Sequence, residues 1–162
     1  MASTKAARVG AKSARPDLGS SYERDFYAWS HNQAHALRAQ DVGSLDWENL
    51  AEEIESLGKS DRREVRSRLI VILTHLLKRQ YQPTRQSRSW KLSILTQRHD
   101  LAEVLGESPS LKRLLPDLLA DAYASARDLA MYEMGLNKWD TKIPPKQNPF
   151  TLEQVLDEDY LP

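Results

Sequence analysis

Apolar residues recur every three or four positions from Ser20 onward, and this spacing places them on one face of an α-helix. In the first helical segment, residues 20–40, the recurring positions are Tyr22, Phe26, Trp29 and Leu37. No segment shows the alternation of apolar and polar residues that is typical of a half-buried strand. The pattern therefore predicts an all-α protein.

Capping and terminating residues divide the rest of the chain into four further helices. Asp46 and Ser60 are suited to cap helix N-termini, and Gly58, Gly106 and Gly135 are suited to follow helix C-termini. The predicted helices are residues 46–58, 60–81, about 88–106 and 116–135, with a short helical turn that starts at Pro109. Because the links between them are short, we expect an antiparallel bundle of about five helices.

The two helices on either side of Gly58 are expected to form a hairpin. Leu50, Ile54 and Leu57 make the apolar stripe of the first of them, and Gly58 is a typical residue at a helix C-terminus. We therefore predict a turn at Gly58, with residues 46–58 and 60–81 packed antiparallel.

The two ends of the chain differ in character from this helical region. Residues 1–19 combine four Lys or Arg with small residues and lack periodicity, which predicts a disordered basic leader. Residues 137–162 are rich in proline, and Thr151 with Gln154 matches a capping box over a single helical turn. The predicted organisation is a leader at 1–19, a helical bundle at 20–136 and an extended C-terminal strap at 137–162 that packs on the bundle.

The composition is that of an ordinary globular chain. Its 162 residues fit one domain, and 23 Lys and Arg against 23 Asp and Glu leave no net charge to attract nucleic acid or a membrane surface. The chain has no cysteine, which fits a reducing compartment, and no apolar run near the ~20 residues that span a bilayer. We therefore predict a cytoplasmic protein without a membrane partner.

Charge is nevertheless segregated in the middle of the chain. Residues 44–57 hold five carboxylates and no Lys or Arg, whereas residues 59–98 hold eleven Lys or Arg and two acids. In the expected hairpin, Glu53 lies opposite the turn that contains Arg66, so the pair is predicted to be a structural ion pair that fixes the hairpin register. The same carboxylates, Glu52 and Glu53, are also candidates for a general base or a metal ligand.

A second cluster is predicted where the helix that ends near Tyr81 meets the next helix. Folding the chain back at this junction brings Lys78 and His75 beside Arg88 and Trp90. Few local acids are available to neutralise these cations, so the junction is a candidate site for phosphate or a nucleic-acid backbone. The alternative is structural, with His75 and Trp90 in the core and Lys78 extending its ammonium toward solvent.

Six sequence blocks occur in order along the chain: YERDFYAW at 22–29, LDWENLAEEIESLG at 45–58, THLLKRQYQP at 74–83, RSW at 88–90, SPSL at 108–111 and PFTLEQVLDEDYLP at 149–162. Together they resemble the bacterial Domain of Unknown Function 29 (DUF29) family. The resemblance covers about residues 20–162 and implies an α-helical fold, a bacterial source and no assigned activity. The positions that it singles out are Asp25, Trp29, Glu52, Glu53, His75, Lys78, Arg88, Ser89, Trp90 and Arg98. Arg79 departs from the pattern, since an aromatic residue is expected there.

Two functions remain open at this point. The first is a binding or interaction module whose anion site is the junction, with nucleic acid or another protein as partner. The second is a small enzyme of phosphate chemistry, a nuclease or phosphohydrolase, in which the catalytic candidates Glu52, Glu53 and His75 act with Lys78 and Arg88. No motif predicts a metal site or an organic cofactor, and the sequence does not decide whether the protein is an enzyme.

Overall fold

A computed structural model describes residues 18–162, and all regular structure in that range is helical. The α-helices are α1 (Leu18–Arg24), α2 (Phe26–Arg38), α3 (Trp47–Tyr81), α4 (Arg88–Glu107), α5 (Leu115–Met134) and α6 (Leu152–Leu156). Three 3-10 helices, Val42–Ser44, Pro83–Arg85 and Pro109–Leu114, lie in the connections. The all-α prediction is confirmed. Most of the predicted leader, residues 1–17, lies outside the described residues.

The chain divides between Ser56 and Leu57 into two compact units. The first unit contains α1, α2 and the beginning of α3. Its first predicted helix is interrupted at Asp25, where the backbone is non-helical and the side chain accepts a hydrogen bond from the Ala28 amide, so that α2 starts with its own cap. The break turns one expected helix into two.

The predicted turn at Gly58 is wrong, because α3 runs without interruption from Trp47 to Tyr81. Within residues 18–162, only Gln40 and Gly135 have positive φ, so Gly58 does not adopt the left-handed conformation that ends helices. Glycine in a helix interior costs only about 1 kcal/mol relative to alanine, which the helix-forming residues on both sides can offset. Ile54 and Leu57, which the hairpin would have buried, are 67% and 68% exposed.

The second unit is a bundle built from α4, α5 and residues 57–81 of α3. Helices α3 and α4 run in opposite directions, because Arg68 contacts Asp100 whereas Lys78, later in α3, contacts Trp90, earlier in α4. Helices α3 and α5 run in the same direction, since Arg66 contacts Ser125 and the later Lys78 contacts the later Glu133. Helix α4 is therefore antiparallel to both neighbours. The fully buried core consists mainly of Val65, Leu69, Ile72, Leu73, Leu76, Leu77, Ile94, Leu101, Leu118, Ala122, Ala126 and Ala130.

The C-terminal segment is held on this bundle by side chains and by one buried arginine. Phe150 and Val155 belong to the core, and the predicted capping box of Thr151 and Gln154 is present at the start of α6. Arg98 of α4, which is 3% exposed, donates hydrogen bonds to four carbonyl oxygens between Gln154 and Tyr160. A guanidinium with its fixed fork of donors is suited to this role, because it satisfies carbonyls at the end of α6 and in the residues that follow it.

Candidate functional site

Lys78 occupies the centre of the junction that the sequence singled out. It is 6% exposed, and its ammonium lies 2.5 Å from a carboxylate oxygen of Glu133 in α5 and 4.4 Å from the ring centroid of Trp90. The acid that balances Lys78 thus comes from α5 and not from the acidic residues of the C-terminal segment. This ammonium is already engaged by an ion pair and by an aromatic face.

His75 lies one helical turn before Lys78 and does not add a charge to the junction. Its Nδ1 atom is buried and has no hydrogen-bond partner within residues 18–162. Burial, followed by the nearby charge of Lys78, lowers the pKa of His75 below its ordinary value, while Glu133 acts in the opposite direction. We conclude that His75 is neutral at physiological pH and contributes no cation for an anion to bind.

Arg88 and Ser89 lie at the exposed start of α4. Ser87 caps this helix by accepting a hydrogen bond from the Trp90 amide, and its hydroxyl is 2.7 Å from that of Ser89. Arg88 forms no hydrogen bond or ion pair with any residue that the structure describes. The structure therefore joins Lys78 and Trp90, whereas Arg88 remains an exposed cation at the rim of the predicted site.

The glutamates of the predicted hairpin have other partners. In the first unit, Glu53 accepts a hydrogen bond from the Tyr22 hydroxyl at 2.5 Å, and this bond, together with burial and the charges of Glu53, Glu52 and Asp46, raises the pKa of Tyr22 to about 12. In the second unit, Arg66 donates to the carbonyl oxygen of Asp121 at 3.2 Å and to the Ser125 hydroxyl at 3.0 Å. The continuous α3 removes the geometry on which the Glu53–Arg66 pair depended.

A polar network within the first unit fixes the start of α3. The indole N–H of Trp29 donates to Asp46, and the Gln33 side chain accepts from the Asp46 amide and donates to the Ser44 carbonyl. Asn49 also donates to the Asp46 carboxylate, at 2.7 Å. With both Trp29 and Gln33 buried at 3% exposure, these groups satisfy one another. The contacts give Asp46 a structural role.

Four basic side chains of α3 line one groove against α5. Lys59, Arg62, Arg63 and Arg66 follow the helical spacing of three and four residues, so they share a face. With Leu118 and Asp121 they enclose a volume of about 380 Å³, which we call the α3 groove. Among residues 18–162, neither Arg62 nor Arg63 forms an ion pair. The groove therefore presents cations with a single lining carboxylate.

The sequence contained a signal for this groove that the hairpin interpretation hid. The spacing of the four cations is visible between residues 59 and 66, but the predicted turn at Gly58 paired Arg66 with Glu53. The contact between Lys78 and Glu133, by contrast, could not be predicted from neighbouring residues, because the two are 55 residues apart in the chain.

No group of three or more His, Asp or Glu side chains in residues 18–162 is arranged to hold a metal ion. None of the helices in that range combines the length and apolar content required to cross a membrane.

The chain is thus an all-α protein whose second unit carries a basic groove. Among protein families, the model described as Domain of unknown function DUF29 matches residues 21–161. The chain belongs to this family, as its sequence blocks indicated. No curated protein and no solved structure matches the chain. Since the family description leaves function open, any function has to be argued from the side chains.

Proposed function

We propose that this protein is a binding module and that its ligand is a phosphate-bearing polyanion, with nucleic acid as the first candidate. The observation that carries the proposal is the α3 groove, in which Lys59, Arg62, Arg63 and Arg66 face a volume of about 380 Å³. A guanidinium offers a planar fork of N–H donors that matches the oxygens of a phosphate.

The local energetics favour an anion in the groove. Arg62 and Arg66, and likewise Arg63 and Arg66, are like-charged neighbours on α3, and each such pair costs roughly 0.2–0.5 kcal/mol. Asp121 is the lining acid, and the exposed Arg62 and Arg63 have no ionic partner in residues 18–162. A bound phosphate would remove the repulsion and release counterions from the ligand.

The groove is a better anion site than the junction predicted from the sequence. At the junction, Lys78 is paired with Glu133 and His75 has a lowered pKa, which leaves Arg88 as the exposed cation of the predicted set. A phosphate at Lys78 would have to compete with a carboxylate that is already in contact. The junction is the second possible location of the site, and Arg88→Gln tests it.

The proposal is tested by titrating a fluorescently labelled single-stranded oligonucleotide with the wild-type chain and variants at low salt. Arg62→Gln with Arg63→Gln should weaken binding by tenfold or more and reduce the slope of log K against log salt by about 0.7 for each lost phosphate contact. Arg38→Gln with Arg113→Gln removes the same charge from exposed positions outside the groove and is the matched control. Arg88→Gln reports on the junction.

The outcomes separate the alternatives. Equal weakening in the groove variant and the control would show that only net charge matters, and loss of binding in Arg88→Gln alone would place the site at the junction. Absence of wild-type binding would refute the proposal for nucleic acid. The enzyme alternative is tested by adding Mg²⁺ to the wild-type protein and to Glu53→Gln, since cleavage of the oligonucleotide by the first and not by the second would favour a nuclease.

A further inference from the structure

Two large aromatic side chains near the end of α5 are almost fully exposed to solvent. Tyr132 on α5 is 84% exposed, and Trp139 on the loop that follows is 81% exposed. The loop around Trp139 is ordered by its own hydrogen bonds, because the Asp140 carboxylate accepts from the Asn137 amide and the Asn137 side chain accepts from the Trp139 amide. The indole is therefore presented by a fixed turn rather than by a loose segment.

A cleft of about 750 Å³ lies between α5 and this loop. Its basic lining residues are Arg127, Lys138 and Lys146, its acid is Asp128, and Tyr132 forms part of its wall. The loop is attached to α5 beside the cleft, since Arg127 donates a hydrogen bond to the carbonyl oxygen of Pro144 at 2.8 Å. The two walls of the cleft are thus tied together without a ligand.

Cations and rings alternate on this surface. The Lys138 ammonium lies 4.8 Å from the Trp139 ring centroid, and Lys146 and Tyr132 line the same cleft. We propose that the cleft and Trp139 bind unpaired bases of a single-stranded nucleic acid, with the aromatic rings stacking on bases and the cations contacting the adjoining phosphates. Interleaved aromatic and basic side chains are the combination that single-strand binding requires.

The charges on this surface decide against an apolar partner. Covering Lys138 and Lys146 with an apolar protein face would remove cations from water without compensation, which is costly. Base faces are buried by stacking in a duplex, so aromatic rings of this kind can reach them only in a single strand. This inference uses none of the residues of the α3 groove and does not depend on the function proposed for it.

The test compares two probes that differ only in their bases. One is a short fluorescently labelled oligothymidylate, and the other is an abasic chain with the same label and the same number of phosphates. We expect the wild-type protein to bind the oligothymidylate more tightly, by about tenfold for each base that stacks on a ring. Trp139→Ala with Tyr132→Ala should remove this preference, and Trp139→Phe with native Tyr132 should keep most of it.

Further variants separate stacking from charge. Lys138→Gln should weaken both probes and leave a preference for bases, and Arg62→Gln with Arg63→Gln should also leave the preference intact. Equal wild-type binding of the two probes, failure of the wild type to bind either, or a preference that survives in Trp139→Ala with Tyr132→Ala would each overturn the inference. Because both rings are exposed, all variants should keep the wild-type melting temperature, which is measured first.

Discussion

Replacing Arg98 with methionine is expected to be among the most destabilising single substitutions in this chain. The guanidinium is 3% exposed and donates to the carbonyl oxygens of Val155 at 2.9 Å, Gln154 at 3.0 Å, Tyr160 at 3.0 Å and Glu158 at 3.4 Å. Burial lowers the pKa of Arg98 from its ordinary value, and the charges of Asp157 and Glu158 oppose that shift. Methionine fills much of the same volume but donates nothing.

The expected loss follows from the groups that would be left without partners. Each buried carbonyl that loses its donor costs about 1–3 kcal/mol, but some of the four can reach water once the segment loosens. We therefore expect a loss of about 3–5 kcal/mol, similar to that of breaking a buried charged contact. At roughly 2–4 °C per kcal/mol for a chain of this size, the melting temperature should fall by about 10 °C.

Thermal unfolding followed by far-ultraviolet circular dichroism measures this change, and limited proteolysis reports on the C-terminal segment. Residues 150–162 should become cleavable in Arg98→Met at temperatures where the helices of the bundle remain folded. Arg88→Met, which changes an exposed arginine of the same helix, is the control. If the melting temperature of Arg98→Met fell no further than that of Arg88→Met, the carbonyl contacts of Arg98 would not be holding the segment.

Three further predictions concern other features of the fold. Gly58→Ala should raise the free energy of unfolding by about 0.5–1 kcal/mol, because an added Cβ meets open space in a helix interior. Gly135→Ala should lower the free energy of unfolding, because φ is +69° at that position, and chemical denaturation measures the two changes. Glu133→Gln should cost roughly 1–3 kcal/mol, since it leaves the buried Lys78 ammonium unpaired but Glu133 itself is partly solvated, and an unchanged denaturation midpoint would count against the pair. The raised pKa of Tyr22, about 12 against an ordinary value near 10, gives stability that is present below pH 10 and lost as the pH rises from about 10 to about 12; Tyr22→Phe should lessen that loss in alkaline melting curves.

Signals that act within a few residues could be read from the sequence. Gly135 after α5 and the capping box of Thr151 and Gln154 both occur as predicted. In each case the side chain or the glycine backbone satisfies amide or carbonyl groups within one helical turn, so the chemistry is complete in the local sequence. The helical class of the protein follows from the same local patterns.

Contacts between distant segments could not be read in this way. Lys78 and Glu133, and Arg98 and Val155, are 55 and 57 residues apart, and each pair exists only after the helices of the second unit have packed. The sequence showed that the junction lacked local acids but not that α5 would supply one. For this reason the candidate site is no longer the junction, where Lys78 is already paired with Glu133, but the α3 groove, where two arginines have no ionic partner among residues 18–162.

Gly58 shows how one ambiguous residue redirected the interpretation of the charges. A glycine ends a helix only when its backbone takes positive φ and the following residues leave the helix, and neither Lys59 nor Ser60 requires that. Arg62, Arg63 and Glu64 favour a helix and no proline occurs between Gly58 and Pro83, so continuing the helix costs about 1 kcal/mol at Gly58, whereas a turn there would leave several amide and carbonyl groups at two new helix ends to be satisfied. Continuation therefore costs less at the backbone, even though it leaves the Leu57 side chain 68% exposed. Because the helix continues, Arg62 and Arg63 lie on the same face of α3 as Arg66, and the groove that they form with α5 follows from that continuity.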